Sequence, residues 1–151
     1  MTRIYPKQPY VGVGAILVRS GKILLVKRKN EPGTEKWSIP GGVVELGEET
    51  TSTVIREIQE ETGLIVEKPV LIDVINDVEL DPDGRIKYQF VIIDYFLKIK
   101  GGRLKAASDA AEAKWVLLSE VESYVLTKTF LQFFANNRAK LNTLDSAEDD
   151  G

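Results

Sequence analysis

The residues best placed to do chemistry lie in Arg56-Glu57-Ile58-Gln59-Glu60-Glu61. On a helix, at about 100° per residue, Glu57 and Glu61 fall one turn apart on one face, with Glu60 beside them. Like charges at that spacing cost a helix roughly a few tenths of a kcal/mol per pair. A hard divalent cation would offset the repulsion. Magnesium prefers oxygen ligands, keeps several waters, and is commonly shared between carboxylates and substrate phosphates. Gly41-Gly42 just upstream can bring a backbone carbonyl close to the same ion. Arg56 can orient a neighbouring carboxylate or balance the local charge.

The rest of the composition narrows the chemistry. The chain has 151 residues, no cysteine and no histidine. Disulfides, zinc-thiolate sites, cysteine nucleophiles and imidazole bases are therefore excluded. Acid–base work falls to carboxylates, lysine, tyrosine or metal-bound water. The net charge of −3 provides no overall basic field for nucleic acid. No apolar run reaches the roughly 18 residues of a membrane span, and Met1–Tyr10 has no signal-peptide core. These features point to a cytoplasmic protein without a nucleic-acid or membrane partner, and small phosphorylated ligands remain possible where metal ions screen the repulsion. We expect one domain over residues 1–151, with an N-terminal arm at 1–9 and a mobile tail at 142–151. Its oligomeric state is left open between monomer and homodimer.

The surrounding elements have to position the acidic face. Tyr10–Val18 and Lys22–Val26 read as β-strands joined by Ser20-Gly21. Asn30–Lys36 is a polar loop. Trp37–Pro40 is extended, because Pro40 biases Ile39 away from helix. The helix begins near Glu49–Thr51 and stops at Gly63. Thr50–Ile55 has poor helix propensity, but Val54, Ile55 and Ile58 form an apolar stripe beside the carboxylates. Pro69–Leu80 and Arg85–Lys100 are strands joined by the Asp81–Gly84 turn. Gly101-Gly102 suggests another turn, and Lys114–Leu118 a further strand. Thr127–Leu141 reads as an amphipathic helix capped by Thr127, with Phe130, Phe133 and Phe134 in the core.

The spacing Gly42-x5-Glu48-x7-Arg56-Glu57-Ile58-x-Glu60-Glu61-x-Gly63-Leu64 resembles the Nudix box at each defining position. The approach Trp37-Ser38-Ile39-Pro40-Gly41-Gly42 also looks like that family's. The resemblance implies an α+β fold, the Nudix-type α/β/α sandwich with a mixed β-sheet between helices. It implies Mg2+-dependent hydrolysis of a nucleoside diphosphate linked to another moiety, with Mn2+ able to substitute. Carried over by position, the metal ligands are the Gly41 carbonyl, Glu57, Glu60 and Glu61. Arg56 and Glu48 brace the loop and helix, and Gly42 and Gly63 support the box.

Two flanking residues gain roles from the same resemblance. Arg28, at the end of the second strand, matches a phosphate-contacting arginine; its bland alternative is a solvated strand end. Glu112, three residues before Trp115, matches a carboxylate that joins metal binding or acts as base. Glu45, Asp109 and Glu31 are lesser candidates. Glu57 and Glu112 are the candidates for general base. Trp37 and Tyr88 could stack on a base, although packing is the expected use for each. The whole-chain pattern looks most like ADP-ribose pyrophosphatase-type members. The alternatives are a MutT-like nucleoside triphosphate pyrophosphatase and a non-catalytic nucleotide-binding regulatory module.

Overall fold

Two sheets diverge from a break in the first strand. The computed structural model describes residues 3–31, 33–106 and 110–147. Strand β1 (Tyr10–Ile16) breaks at Leu17, and the chain re-enters as β2 (Val18–Arg19) in a different sheet. Strands β3 (Lys22–Arg28), β4 (Trp37–Ser38) and β5 (Gly41–Val43) follow, then helix α1 (Thr50–Thr62). A long hairpin, β6 (Leu64–Leu80) with β7 (Ile86–Gly102), leads to β8 (Ala110–Leu117). A 3-10 turn (Leu118–Ser123) and helix α2 (Lys128–Leu141) complete the fold.

The first sheet runs β5-β1-β7-β6 and is mixed, because β1 and β7 are parallel. In the second, β3 pairs antiparallel with β2, β4 and β8. Alternation along β1 and β7 sends neighbouring side chains to opposite faces. Val13, Ala15, Tyr95 and Leu97 pack with Val54 and Ile58 of α1. Ile16 and Phe96 pack with Phe130, Phe133 and Phe134 of α2. Helices therefore cover two faces of sheet, as the expected sandwich requires.

Several boundaries differ from the sequence reading. Strand β6 starts at Leu64, not Pro69, because a register shift between Glu67 and Val70 absorbs Pro69. Gly101 and Gly102 pair with Ile65 and Leu64 instead of forming a turn. Strand β8 begins at Ala110, so Glu112 lies within a strand, opposite Lys27, rather than in a loop before one. The mobile tail must be corrected for residues 142–147. Ser146 is fully buried, its Oγ accepts from Val18 N–H at 2.9 Å, and its carbonyl accepts from Ile99 N–H at 2.7 Å. It thus ties the end of β7 to β2 across the gap between the sheets. The arm is also docked. Tyr5 N–H donates to Lys87 O at 2.8 Å and its hydroxyl donates to Asp81 at 2.8 Å.

Candidate active site

Helix α1 forms over a threonine-rich stretch that favours strand. Two of its threonines are satisfied inside the helix. Thr53 Oγ1 donates to Glu49 O at 2.9 Å, and Thr62 Oγ1 donates to Ile58 O at 2.7 Å. Glu49 provides no side-chain cap. The first turn is instead pinned by Thr50 Oγ1, 2.6 Å from the Tyr95 hydroxyl on β7. Val54 and Ile58 are fully buried, each contributing roughly 1.5–3 kcal/mol. Tertiary burial therefore overrides the local preference. Gly63 closes the helix at φ 77°.

The helix carries its carboxylates around one guanidinium. Arg56 Nε and Nη2 donate to the two oxygens of Glu48, at 2.8 and 3.0 Å. Its Nη1 donates to Glu57 at 3.0 Å and to Glu60 at 3.1 Å. The paired hydrogen bonds from Arg56 hold the Glu48 carboxyl down at about 2, and the same contact raises Arg56. Arg56 therefore joins the loop after β5 to the helix. It also offsets the repulsion between Glu57 and Glu60 on their shared face.

Strand β5 abuts this face. Gly41 N–H donates to Glu61 Oε2 at 2.9 Å, and Glu61 is 6% exposed. A Cβ on Gly42 would sit 2.6 Å from both Glu57 carboxylate oxygens. Only glycine lets Glu57 lie this close to the backbone. Strand and helix thus bring Gly41, Gly42, Glu57 and Glu61 together, with Arg56, Glu48 and Glu60 around them.

The donor set is all oxygen and anionic, which suits a hard divalent ion. Among the described residues no three acidic side chains already converge as a metal cluster. Arg56 engages Glu57 and Glu60 while Glu61 engages Gly41.

The flanking candidates are less closely gathered. Arg28 ends β3, and its half-buried side chain lies over Gly33. Glu112 is exposed on β8, paired in register with Lys27. Glu45 N–H donates to Glu48, but the Glu45 side chain is exposed, as is Glu31. Asp109 lies outside the described residues. Tyr88 is buried against Phe90, and Trp37 meets Tyr124 edge-on at 5.4 Å, so both pack as expected.

One group escaped the sequence reading. Asp94 is 2% exposed on β7, without a hydrogen-bond partner for Oδ1. Burial, with a smaller push from Asp73, raises its carboxyl to about 7. The visible signal was a lone acid inside Val91-Ile92-Ile93-Asp94-Tyr95-Phe96-Leu97.

Comparison with known proteins reinforces the geometry. The NUDIX domain profile matches residues 8–136. An ADP-ribose pyrophosphatase of Methanocaldococcus jannaschii is 42% identical over 113 residues, covering 75% of this chain and 64% of that protein. A putative 8-oxo-dGTP diphosphatase of Bacillus subtilis is 37% identical over 102 residues, covering 67% of this chain and 61% of that protein. The aligned part thus spans less than two thirds of either relative. The crystal structure of a MutT NUDIX hydrolase from Burkholderia pseudomallei superposes with a TM-score of 0.74 at 30% identity, over 91% of this chain and 99% of that one.

Proposed function

The chain belongs to the Nudix family, and from that premise we propose that it hydrolyses the pyrophosphate linkage of ADP-ribose or a related nucleotide sugar with the help of Mg2+. The observation that carries this reading is the carboxylate face of α1, held by Arg56 against Gly41 and Gly42 of β5. The 42% identity to a relative named as an ADP-ribose pyrophosphatase supports the substrate.

Glu57, Glu60, Glu61 and the Gly41 carbonyl would hold the metal. Bound there, the ion supplies charge neutralisation at the phosphates and a more acidic water. The protein's own groups do the rest. Arg56 and Glu48 keep the helix and the preceding loop in register, so the carboxylates hold their spacing. Glu57, close against Gly42, is placed to take the proton of the attacking water; Glu112 remains the alternative base. Arg28 binds the phosphate chain. Water adds to one phosphorus, the bridging P–O bond breaks, and the products are AMP and ribose 5-phosphate.

A substrate panel with and without Mg2+ tests this. AMP and ribose 5-phosphate should appear from ADP-ribose, and chelation should stop their release. The B. subtilis relative favours one competing reading, triphosphate hydrolysis. Faster turnover of dGTP or 8-oxo-dGTP would establish it. Silence across all nucleotides, with binding retained, would instead indicate a regulatory module.

A further inference from the structure

Among the described residues, three buried side-chain polar atoms lack a hydrogen-bond partner: Arg3 Nε, Asp77 Oδ1 and Asp94 Oδ1. Two have electrostatic company. Lys128 Nζ lies 3.0 Å from Asp77 Oδ1, and the Arg3 guanidinium lies 5.6 Å from the Tyr10 ring centre. Asp94 has neither, and the acid opposite it in register is Asp73. Leaving such a group unpaired costs roughly 1–3 kcal/mol, so its retention on a central strand calls for a use.

Its position suggests one. Gly41, Gly14, Asp94 and Asp73 stand opposite one another across four strands. Two strand spacings of about 4.8 Å put the Asp94 backbone about 10 Å from that of Gly41. A nucleotide has this reach between its base edge and its phosphates. The Asp94 carboxyl lies directly over Gly14, sharing that space with the Ile39 side chain, whose Cδ1 would be 2.7 Å from a Cβ on Gly14. Ile39 is only partly buried and belongs to the segment leading into Gly41. Further along the same face are Gly12 opposite Ile92, then Tyr10 opposite Phe90, with ring centres 6.1 Å apart. This is an apolar, glycine-floored patch, buried at Gly12 and Gly14 and bordering the core at Ile39 and Ile92, with one carboxyl oxygen, Asp94 Oδ1, unpaired.

We propose that Asp94 determines specificity by pairing with the adenine edge of the nucleotide, the ring lying over Gly14 and Gly12 once Ile39 has swung aside. The inference rests on the ADP-ribose reading for its ligand. In its protonated form the acid offers an O–H donor beside a carbonyl acceptor, and adenine presents an acceptor nitrogen beside its 6-amino group. A phosphate gains nothing there, facing two acids and an apolar wall.

Titration calorimetry of AMP into the full chain with Mg2+, alongside ADP-ribose kinetics, tests it. Asp94→Ala should weaken AMP binding roughly tenfold or more and raise KM for ADP-ribose more than it lowers kcat. Asp94→Asn should restore most of the affinity, because an amide also places a donor beside an acceptor. Should the alanine variant fail to melt cooperatively, Asp94→Val takes its place. Unchanged AMP affinity in the alanine or valine variant would overturn the proposal, as would an asparagine variant no better than alanine. So would a wild-type protein that does not bind AMP. If AMP binds with this dependence while ADP-ribose is not cleaved, the substrate reading fails and the role of Asp94 stands.

Discussion

Asp94→Asn should stabilise the protein most where the medium is least acidic. In the folded chain burial and Asp73 raise the Asp94 carboxyl from 3.8 to about 7. A group whose folded value lies above its unfolded value binds more protons when folded. Its contribution is fully present below about pH 4 and is lost as pH rises towards 7, where the unfolded chain ionises freely and the native one cannot. The gap is about three pH units. At 1.36 kcal/mol per unit, the wild type forfeits about 4 kcal/mol by the time pH passes 7. Asparagine has no proton to lose and escapes this penalty, although it still buries an amide.

The measurement is the difference in unfolding free energy between Asp94→Asn and wild type, from urea titrations at pH 5, 6, 7 and 8. Comparing the variant with the wild type at each pH cancels the titrations the two proteins share. The constant cost of burying the amide drops out of the slope. The difference should shift in the variant's favour by roughly 1 kcal/mol per unit between pH 5 and 7 and level off above. For a chain of this size each kcal/mol corresponds to roughly 2–4 °C in melting temperature. A difference that stays flat with pH would mean that Asp94 is already ionised when folded, and the reasoning from its burial would be wrong.

Other substitutions test the site and its supports. Gly42→Ala should reduce kcat roughly a hundredfold with little loss of melting temperature, because the new methyl displaces the Glu57 carboxylate; normal turnover would show that Glu57 has no need of its place. Glu61→Gln should lower turnover by about two orders of magnitude or more while the fold survives, checked by circular dichroism and steady-state kinetics. Arg28→Ala should raise KM more than it lowers kcat; a lower melting temperature with normal kinetics would reduce Arg28 to a structural role. Ser146→Ala should cost about 1–3 kcal/mol, since the buried Val18 N–H loses its acceptor; an unchanged urea midpoint would mean that the C-terminal tie is slack.

The candidate face was readable because its signals are local in sequence. Gly42, Glu48, Arg56, Glu57, Glu60 and Glu61 lie within twenty residues, and one helix with one preceding strand brings them together. The start of α1 was also legible despite its threonines, because Val54 and Ile58 mark a face for burial and Gly63 marks the stop. What failed was long-range. The Ser146 tie and the pairing of Gly101 with Ile65 depend on partners 128 and 36 positions away, which composition cannot signal. The polar text of residues 142–147 looked mobile because its hydrogen bonds go to backbone groups of β2 and β7. Glu112 was misplaced for a similar reason. Its strand is defined by register with β3, not by its own alternation.

The geometry around Arg56 also bears on why the proposed reaction would call for a cation. Glu48, Glu57 and Glu60 place three carboxylates about a single guanidinium, with Glu61 beside them on the Gly41 N–H. Arg56 commits two of its hydrogen bonds to Glu48 alone. The face therefore stays negative after Arg56 has done what it can, and a pyrophosphate approaching it would be repelled. Screening by salt is weak at contact distance. Glu57, Glu60 and Glu61 would hold a divalent ion there, and the positive charge it would supply to the phosphates would answer both problems. On this argument Arg56 acts as a placeholder as well as a brace. Arg56→Lys, which keeps the charge but loses the fork that grips Glu48, should then weaken metal binding less than it disturbs the loop at Glu45–Glu48. Mn2+ titration followed by electron paramagnetic resonance, set beside hydrogen exchange across that loop, separates the two effects. Loss of Mn2+ affinity with an undisturbed loop would show that the guanidinium fork serves the metal directly.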